Sequence, residues 1–247
     1  MSISSQPKKS LGQHFLTNVD ILDRIVKAAE ITANDTVVEV GPGRGSLTNL
    51  LIKTGAKIIT VEKDTELALA LREKYASQKN IEIIEEDILK FEPTSFTLSA
   101  LCFTLIGNIP YYLTSHLLRI VLTQWPAPKT IVFMIQKEVA QRIVARPPNM
   151  NMLALLVQLY GTPKIISIVK RGSFTPAPKV DSAILAISKI KSQKSKVLEI
   201  AARGFAHPRK MIGSNLPKDL LIQARIDPAR RPGTLTVDEW KRICDII

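Results

Sequence analysis

The sequence is poor in the residues that build redox and metal centres. It has two cysteines and three histidines in 247 residues, and the cysteines, Cys102 and Cys244, lie far apart. This spacing predicts neither a disulfide framework nor a metal site, and it is typical of a reducing compartment. We therefore expect no metal in the function of this chain.

Long apolar runs are also missing. The chain is 45% hydrophobic, which supports a sizeable core, yet no apolar run reaches the roughly 18 residues that a membrane span needs. The first ten residues, MSISSQPKKS, contain no apolar stretch of the kind found in secretory signals. These absences predict a cytoplasmic protein with no membrane partner. The length allows one large domain or a large one with a small one.

Acidic residues are scarce only in the second half of the chain. Residues 1–136 hold 14 Lys/Arg and 14 Asp/Glu, residues 137–179 hold 7 and 1, and residues 189–247 hold 13 and 6. The formal net charge of +12 therefore arises in the second half. A neutral half joined to a basic half predicts a cofactor region beside a polyanion-binding face. A basic surface that only keeps the protein in solution is the alternative.

Strands and helices alternate in the first half of the chain. A helix capped by Asn18 or Thr17 is followed by predicted strands at 36–40, 57–62, 81–86, 103–106 and 130–135 and helices at 46–54, 65–77 and 115–125. Such alternation predicts a parallel sheet with helices on both faces. Segments 165–169 and 182–189 are expected to close the sheet as a strand pair. After a polar linker (189–196) the sequence is helical, and Thr236 with Glu239 forms a capping box.

Three of the predicted strand ends carry residues that suit an adenosine-containing cofactor. In parallel sheets ligands bind at the carboxyl ends of the strands. Gly41 and Gly43 in VEVGPGRGS allow close approach to the backbone, while Ser46 stands where a dinucleotide fingerprint has its third glycine. The Glu62 carboxylate can accept from ribose hydroxyls, and Asp87 can accept from an adenine amine. Together they predict an adenosine cofactor without a diphosphate.

The fourth strand end reads GNIPYYLTS (107–115) and suits a substrate adenine. Asn108 offers a carbonyl acceptor, and Pro110 restricts Ile109 to extended geometry, which directs the Ile109 carbonyl. Two acceptors that hold the hydrogens of an exocyclic amine favour a tetrahedral nitrogen with an available lone pair. Stacking on Tyr111 holds the base in place. A strand-ending turn with two core tyrosines is the structural alternative.

Six stretches in a fixed order resemble one family, the small-subunit ribosomal RNA adenine dimethyltransferases of the KsgA type. They span essentially the whole chain and are KKSLGQHFL (8–16), VEVGPGRGSLT (38–48), GNIPYYLTS (107–115), IQKEVAQRIVA (135–145), FTPAPKVDSAI (174–184) and FAHPRKMIGSNL (205–216). The resemblance implies an α/β, class I S-adenosylmethionine-dependent methyltransferase fold with a mostly parallel, Rossmann-like sheet. It also implies a catalytic domain at 1–189, with a cofactor lid at 1–17, and a helical RNA- and ribosome-binding domain at 190–247.

The same resemblance implies a reaction and a partner. S-adenosylmethionine would donate methyl groups to the exocyclic amines of two adjacent adenosines in a hairpin loop near the 3′ end of small-subunit rRNA. The partner would be that rRNA within the precursor of the small ribosomal subunit, and the enzyme would have a role in subunit biogenesis. No heptad pattern or extended apolar patch in the sequence argues against a monomer.

The resemblance also assigns site residues. Cofactor residues would be His14, Leu16, Gly41, Gly43, Glu62, Asp87 and Asn108. Residues around the target base would be Asn108, Ile109, Pro110 and Tyr111, with Phe174 as the second aromatic side chain against the base. Candidates for phosphate contacts in the basic segments are Lys137, Arg142, Arg146, Lys179, Arg209 and Lys210, with Lys170 and Arg171 beside them.

Two places depart from the family pattern. NMNMLALLVQ (149–158) has Met150, Asn151 and Ala154 where the family usually has tyrosine, glycine and a small residue at a turn that contacts RNA. Tyr112 stands where the family often has asparagine, which bears on the shape of the base pocket. The consequences of both departures stay open at the level of sequence.

Three other functions are compatible with parts of the sequence. A large-subunit rRNA adenine methyltransferase of the antibiotic-resistance type shares motifs like QHFL and NIPY, although the PKVDSA run and the C-terminal RRPGTL favour the small-subunit enzymes. The protein could instead be chiefly an assembly factor with secondary methylation. A dinucleotide oxidoreductase is the weakest alternative, because no residue in the sequence indicates hydride transfer.

Overall fold

The fold rests on nine strands in the part of the chain that the computed structural model describes, which is residues 7–8, 13–93, 103–191 and 195–247. Much of the predicted lid segment, Cys102 and the middle of the predicted linker lie outside these residues. The strands are β1 (Phe15–Leu16), β2 (Thr36–Val40), β3 (Lys57–Glu62), β4 (Ile81–Glu85), β5 (Phe103–Asn108), β6 (Thr130–Gln136), β7 (Thr162–Val169), β8 (Phe174–Thr175) and β9 (Ser182–Ser188).

Seven of the strands form one twisted sheet in the order β4-β3-β2-β5-β6-β9-β7. The first five of this order run parallel to one another, and β9 lies antiparallel to both β6 and β7. The predicted closing pair is therefore confirmed. A separate two-stranded ladder joins β1 to β8, with Phe15 opposite Thr175 and Leu16 opposite Phe174.

The helices in the described ranges are α1 (Val19–Ala28), α2 (Ser46–Ile52), α3 (Thr65–Lys74), α4 (Thr114–Thr123), α5 (Lys137–Ile143), α6 (Met152–Tyr160), α7 (Val197–Gly204), α8 (Lys218–Gln223) and α9 (Val237–Cys244). Four of these nine helices, α1, α3, α6 and α9, begin after a residue whose side chain accepts from a backbone N–H of the first turn. Asn18 accepts from the Ile21 N–H at 3.2 Å, which confirms one of its two predicted caps. The predicted capping box of Thr236 and Glu239 is also present. Each such cap is worth about 1 kcal/mol.

Both faces of the sheet are covered, as a parallel sheet requires. Successive residues of β2 serve opposite sides, with Val37 in one apolar cluster and Val38 in the other. The cluster on the Val38 side continues into the C-terminal helices, where Trp240 is fully buried. The helical part of the chain therefore shares an apolar core with the sheet. No helix in the described ranges has the length and apolar character needed to cross a membrane.

The strand β5 is two residues longer than the sequence predicts. Gly107 and Asn108 continue its parallel pairing with β6, opposite Phe133 and Met134. A Cβ atom on Gly107 would lie only 2.6 Å from the Val40 carbonyl oxygen. The missing side chain thus lets β5 lie close to β2, and it brings the end of β5 level with the ends of its neighbours.

Candidate active site

A single cleft lies at the carboxyl ends of β2, β3 and β5, next to the chain that follows β4. It encloses about 1060 Å³ of empty space, its open mouth included. Predicted site residues that line it are His14, Leu16, Gly41, Gly43, Glu62, Asp87, Asn108, Ile109, Pro110 and Tyr111. The structure therefore gathers the expected cofactor residues and four of the five expected base-contacting residues in one place.

The glycine turn and Glu62 form one hydrogen-bonded unit at the first two strand ends. Gly43 has a φ of +58°, and a Cβ there would meet the Phe15 ring at 3.0 Å, so both backbone and space favour glycine. The Gly43 N–H donates to Glu62 Oε2 at 3.1 Å, and the Asp64 N–H donates to Oε1 at 2.9 Å. Burial raises the pKa of Glu62, and these N–H groups oppose that effect. The carboxylate is held rigidly at the cleft wall.

Asp87 is paired with a lysine that the sequence pattern did not single out. Lys63 Nζ lies 2.8 Å from Asp87 Oδ2, and the Leu89 N–H donates to Oδ1. Burial alone would raise the pKa of Asp87, but these two bonds, together with the positive charges of Lys63 and Lys90, hold that pKa below its usual value. Asp87 is therefore an ionised acceptor at the cleft wall.

The Asn108 side chain is oriented by the N-terminal segment. Its Nδ2 donates to the His14 carbonyl oxygen at 2.8 Å, and the His14 Nδ1 donates to the Pro176 carbonyl at 2.8 Å. Because the amide N–H is used in this way, Oδ1 is the acceptor end that the side chain can offer to a ligand. The short β1–β8 ladder thus fixes a group on β5.

Tyr111 is held at both its face and its hydroxyl. Its ring stacks on the His14 ring with centroids 6.0 Å apart and an interplanar angle of 26°. Its hydroxyl lies 2.8 Å from the Ser182 Oγ, which is fully buried at the start of β9. Such restraints leave the ring in place before any base arrives, which lowers the entropic cost of stacking. No sequence signal marks Ser182 as its partner, because 71 residues separate the two.

Comparison with known proteins agrees with this geometry. The ribosomal RNA adenine dimethylase family matches residues 4–202. Ribosomal RNA small subunit methyltransferase A of Dehalococcoides mccartyi (strain CBDB1) is 41% identical over 253 residues, which cover 96% of this chain and 87% of that protein. The chain belongs to the ribosomal RNA adenine dimethylase family.

Solved structures support the same assignment. A dimethyladenosine transferase from Plasmodium falciparum superposes with a TM-score of 0.81 at 27% identity, covering 93% of this chain and 96% of that one. The 23S rRNA methyltransferase ErmE superposes with a TM-score of 0.75 at 26% identity, covering 94% and 98%. The predicted class I methyltransferase fold is confirmed.

The cleft fits the S-adenosylmethionine used by this family of dimethylases. The buried Glu62 carboxyl group lines it, with its two oxygens positioned by backbone N–H groups, and such an acceptor suits a ligand that donates hydrogen bonds better than a diphosphate. A Cβ on Gly41 would meet no atom of the described residues within 4 Å, so the backbone there is open to a ligand. These two features agree with an adenosine-containing cofactor that has no diphosphate.

Glu39 is a further residue of the cleft that the sequence analysis did not single out. It is 1% exposed, and it accepts a hydrogen bond from the Thr48 hydroxyl at 2.7 Å. Burial raises its pKa to about 8. The sequence does carry a signal, since an acidic residue inside an apolar strand such as TVVEV is rarely buried without a partner.

Phe174 lies outside the residues that line the cleft. It is 4% exposed and packs in the apolar cluster with Leu16, its partner in the β1–β8 ladder. In this arrangement its contacts are those of a core residue that supports β1. The expectation that it stacks on the target base stays a prediction.

The predicted phosphate-binding residues lie at the surface of the dimethylase. Arg142, Arg146, Lys179, Arg209 and Lys210 are exposed, and Lys137 is half-buried. The neighbouring Lys170 pairs with Asp181 at 3.2 Å, so its charge is partly neutralised within the chain. Exposure permits contact with RNA, and the contacts themselves stay predictions.

Proposed function

We propose that this enzyme uses S-adenosylmethionine to dimethylate two adjacent adenosines in the 3′-terminal hairpin loop of small-subunit rRNA. The observation that carries the proposal is the junction at the end of β5. There an oriented amide, Asn108, stands beside a fixed aromatic ring, Tyr111, in the same cleft as the cofactor residues. The relative from Dehalococcoides mccartyi is named for the small subunit, which favours that target over the large subunit.

The chemistry of transfer needs positioning more than proton removal. S-adenosylmethionine supplies an electrophilic methyl group. Glu62 would hold the ribose of the cofactor, and Asp87 would accept from its adenine amine. Asn108 Oδ1 and the Ile109 carbonyl accept from the target amine, while Tyr111 holds the base by stacking. The amide of Asn108 cannot turn freely, because its Nδ2 is bound to the His14 carbonyl.

The proposal also assigns different functions to two parts of the chain. Residues 1–189 form the catalytic domain, with residues 1–17 as the cofactor lid, and residues 190–247 form the RNA- and ribosome-binding domain. In support, the described residues from 195 onward are helical and carry the exposed Arg209 and Lys210. The enzyme acts as a monomer in the cytoplasm on the precursor of the small subunit.

The test is methyl transfer from labelled S-adenosylmethionine to unmethylated small ribosomal subunits. Large subunits and free rRNA are assayed in parallel, and mass spectrometry of the nucleosides identifies the product. We expect dimethyladenosine in the small subunit alone. Label confined to large subunits would instead establish the activity of the ErmE type, and a macrolide sensitivity assay in a susceptible host would then follow.

The variant Asn108→Ala separates catalysis from binding. We expect it to fold and to bind small subunits while methyl transfer falls at least a hundredfold, since one acceptor for the target amine is lost. Leu69→Ala, an exposed position on α3 outside the cleft, is the control. If the Asn108 variant restored the growth of a deficient host as well as the wild type, assembly rather than methylation would be the main function.

A further inference from the structure

Tyr112 is a large aromatic side chain left open to solvent at the active site. It is 60% exposed, whereas the adjacent Tyr111 is half-buried. Isolated exposed apolar residues are normal on protein surfaces, so exposure alone decides nothing. The location is informative, because Tyr112 is one of the residues that line the cleft.

A tight turn directs the two tyrosines differently. The Leu113 N–H donates to the Pro110 carbonyl at 2.9 Å, which closes a turn with Tyr111 and Tyr112 at its centre. The Tyr111 hydroxyl is tied inward to Ser182. The Tyr112 ring belongs to neither of the two apolar clusters of the described residues. It therefore contributes no core packing that would explain a large aromatic residue here.

The surroundings of Tyr112 suit a nucleotide. Lys63 lines the same cleft as Tyr112, its side chain is 53% exposed, and its ammonium group pairs with Asp87 at 2.8 Å. An exposed aromatic ring offers a face on which an unpaired base of a single-stranded nucleic acid can stack.

We propose that Tyr112 is a second stacking platform, which binds the unpaired base of the nucleotide next to the target adenine. The inference rests on the proposed function of the cleft and adds a subsite to it. Tyr111 and Tyr112 are consecutive residues with Cα atoms about 3.8 Å apart. This short separation lets neighbouring nucleotides of one strand place one base against each ring.

The test compares four side chains at position 112 in methyl transfer to unmethylated small subunits. Tyr112→Phe keeps the ring, Tyr112→Leu keeps apolar bulk without a π-face, and Tyr112→Ala removes both. We expect the phenylalanine variant to match the wild type, and the other two to raise KM for the subunit about tenfold. The affinity for S-adenosylmethionine and the thermal midpoint should not change, because Tyr112 is exposed.

A second measurement does not depend on methyl transfer. A single-stranded oligoribonucleotide with 2-aminopurine beside an adenosine reports stacking by loss of fluorescence, and its affinity for each variant is measured by titration. Tyr112→Ala and Tyr112→Leu should bind it about tenfold more weakly than Tyr112→Phe. Leu69→Ala, with a side chain 53% exposed on α3, is the matched control and should bind as the wild type does.

The outcomes separate this subsite from the activity itself. Equal KM and equal oligonucleotide affinity for tyrosine, leucine and alanine would overturn the stacking role. A loss of cofactor affinity in Tyr112→Ala would also overturn it, since the residue would then serve the cofactor. If the wild type methylates no small subunit, the proposed function fails, and the oligonucleotide titration still decides whether Tyr112 stacks on a base.

Discussion

At the scale of single residues, the buried Glu39 makes stability depend on pH. Burial raises its pKa to about 8, with the Thr48 hydroxyl opposing the rise and the Glu62 carboxylate adding to it. A carboxyl group with a higher pKa in the folded state takes up a proton on folding. The resulting stability is complete below the unfolded pKa of about 4.5. It is lost as pH rises through about 8, when the buried group ionises.

We therefore predict that Glu39→Gln flattens the pH dependence of unfolding. Glutamine keeps the shape and can accept from the Thr48 hydroxyl, but it carries no charge at any pH. Between pH 6 and pH 9 the wild type should lose stability relative to the variant, by an amount on the order of a few kcal/mol. Urea unfolding at both pH values measures it. Parallel pH profiles for the two proteins would show that Glu39 is ionised throughout.

At the scale of elements, the alignment of the strand ends depends on the close approach of β2 and β5. Gly107 lies opposite Val40 in the parallel ladder, and an added Cβ would lie 2.6 Å from the Val40 carbonyl oxygen and 3.0 Å from the Ile109 side chain. Both contacts involve buried groups that cannot move aside easily. A side chain here must push apart the two strands that carry the glycine turn and Asn108.

We predict that Gly107→Ala lowers the free energy of unfolding by about 1–3 kcal/mol and reduces methyl transfer, because Asn108 shifts with the strand. The matched control is Gly172→Ala, since a Cβ there would meet no described atom within 4 Å. That variant should stay within about 0.5 kcal/mol of the wild type. Urea unfolding and the methyl-transfer assay measure both. Equal losses in the two variants would exclude the contact with Val40 as the cause.

The same strands show what sequence can and cannot reveal. The whole of β2 and β3 could be predicted, because Val- and Ile-rich runs end at a clear turn. The last two residues of β5 could not, since glycine and asparagine are depleted in strands and only their pairing with β6 keeps them extended. Glu62 and Asp87 could be selected as site residues from the sequence, because both stand at the ends of predicted strands. The hydrogen bond between Tyr111 and Ser182 could not be predicted, because it depends on how β9 inserts beside β6.

The segment at 149–151, which departs from the family pattern, also combines a feature that the sequence predicts with one that it does not. Asn151 caps α6 by accepting from the N–H groups of Leu153 and Ala154 at 3.1 Å. Such a cap can be expected from the residue type alone, because asparagine is a preferred N-cap. Met150 is buried, and its N–H donates to the Gly233 carbonyl at 3.0 Å. That second contact joins residues far apart in the chain. Asn151 therefore caps α6, and the buried Met150 joins the start of this helix to the C-terminal region.

At the scale of the whole molecule, charge and cleft occupy different parts of the chain. The cleft-forming strands β2 to β6 lie in the half with balanced charge, and the excess of positive charge lies in residues 137–179 and 189–247. Exposed basic residues in the second half can neutralise phosphates and release counterions, which makes affinity depend on salt. In the first half of the chain, acidic residues balance the basic ones, so no excess of positive charge is present there.

We predict that affinity for small-subunit rRNA falls steeply with salt, and that Arg209→Ala with Lys210→Ala reduces the slope. Each phosphate contact contributes about 0.7 to 0.9 to the slope of log K against log salt, so the double variant should lose about one to two. The control is Lys53→Ala with Lys57→Ala, which removes the same charge from exposed positions in the neutral half. Lys57 begins β3 about 17 Å from its carboxyl end, so its loss should leave the slope unchanged. Equal slopes for all three proteins would place the RNA-binding face elsewhere on the molecule.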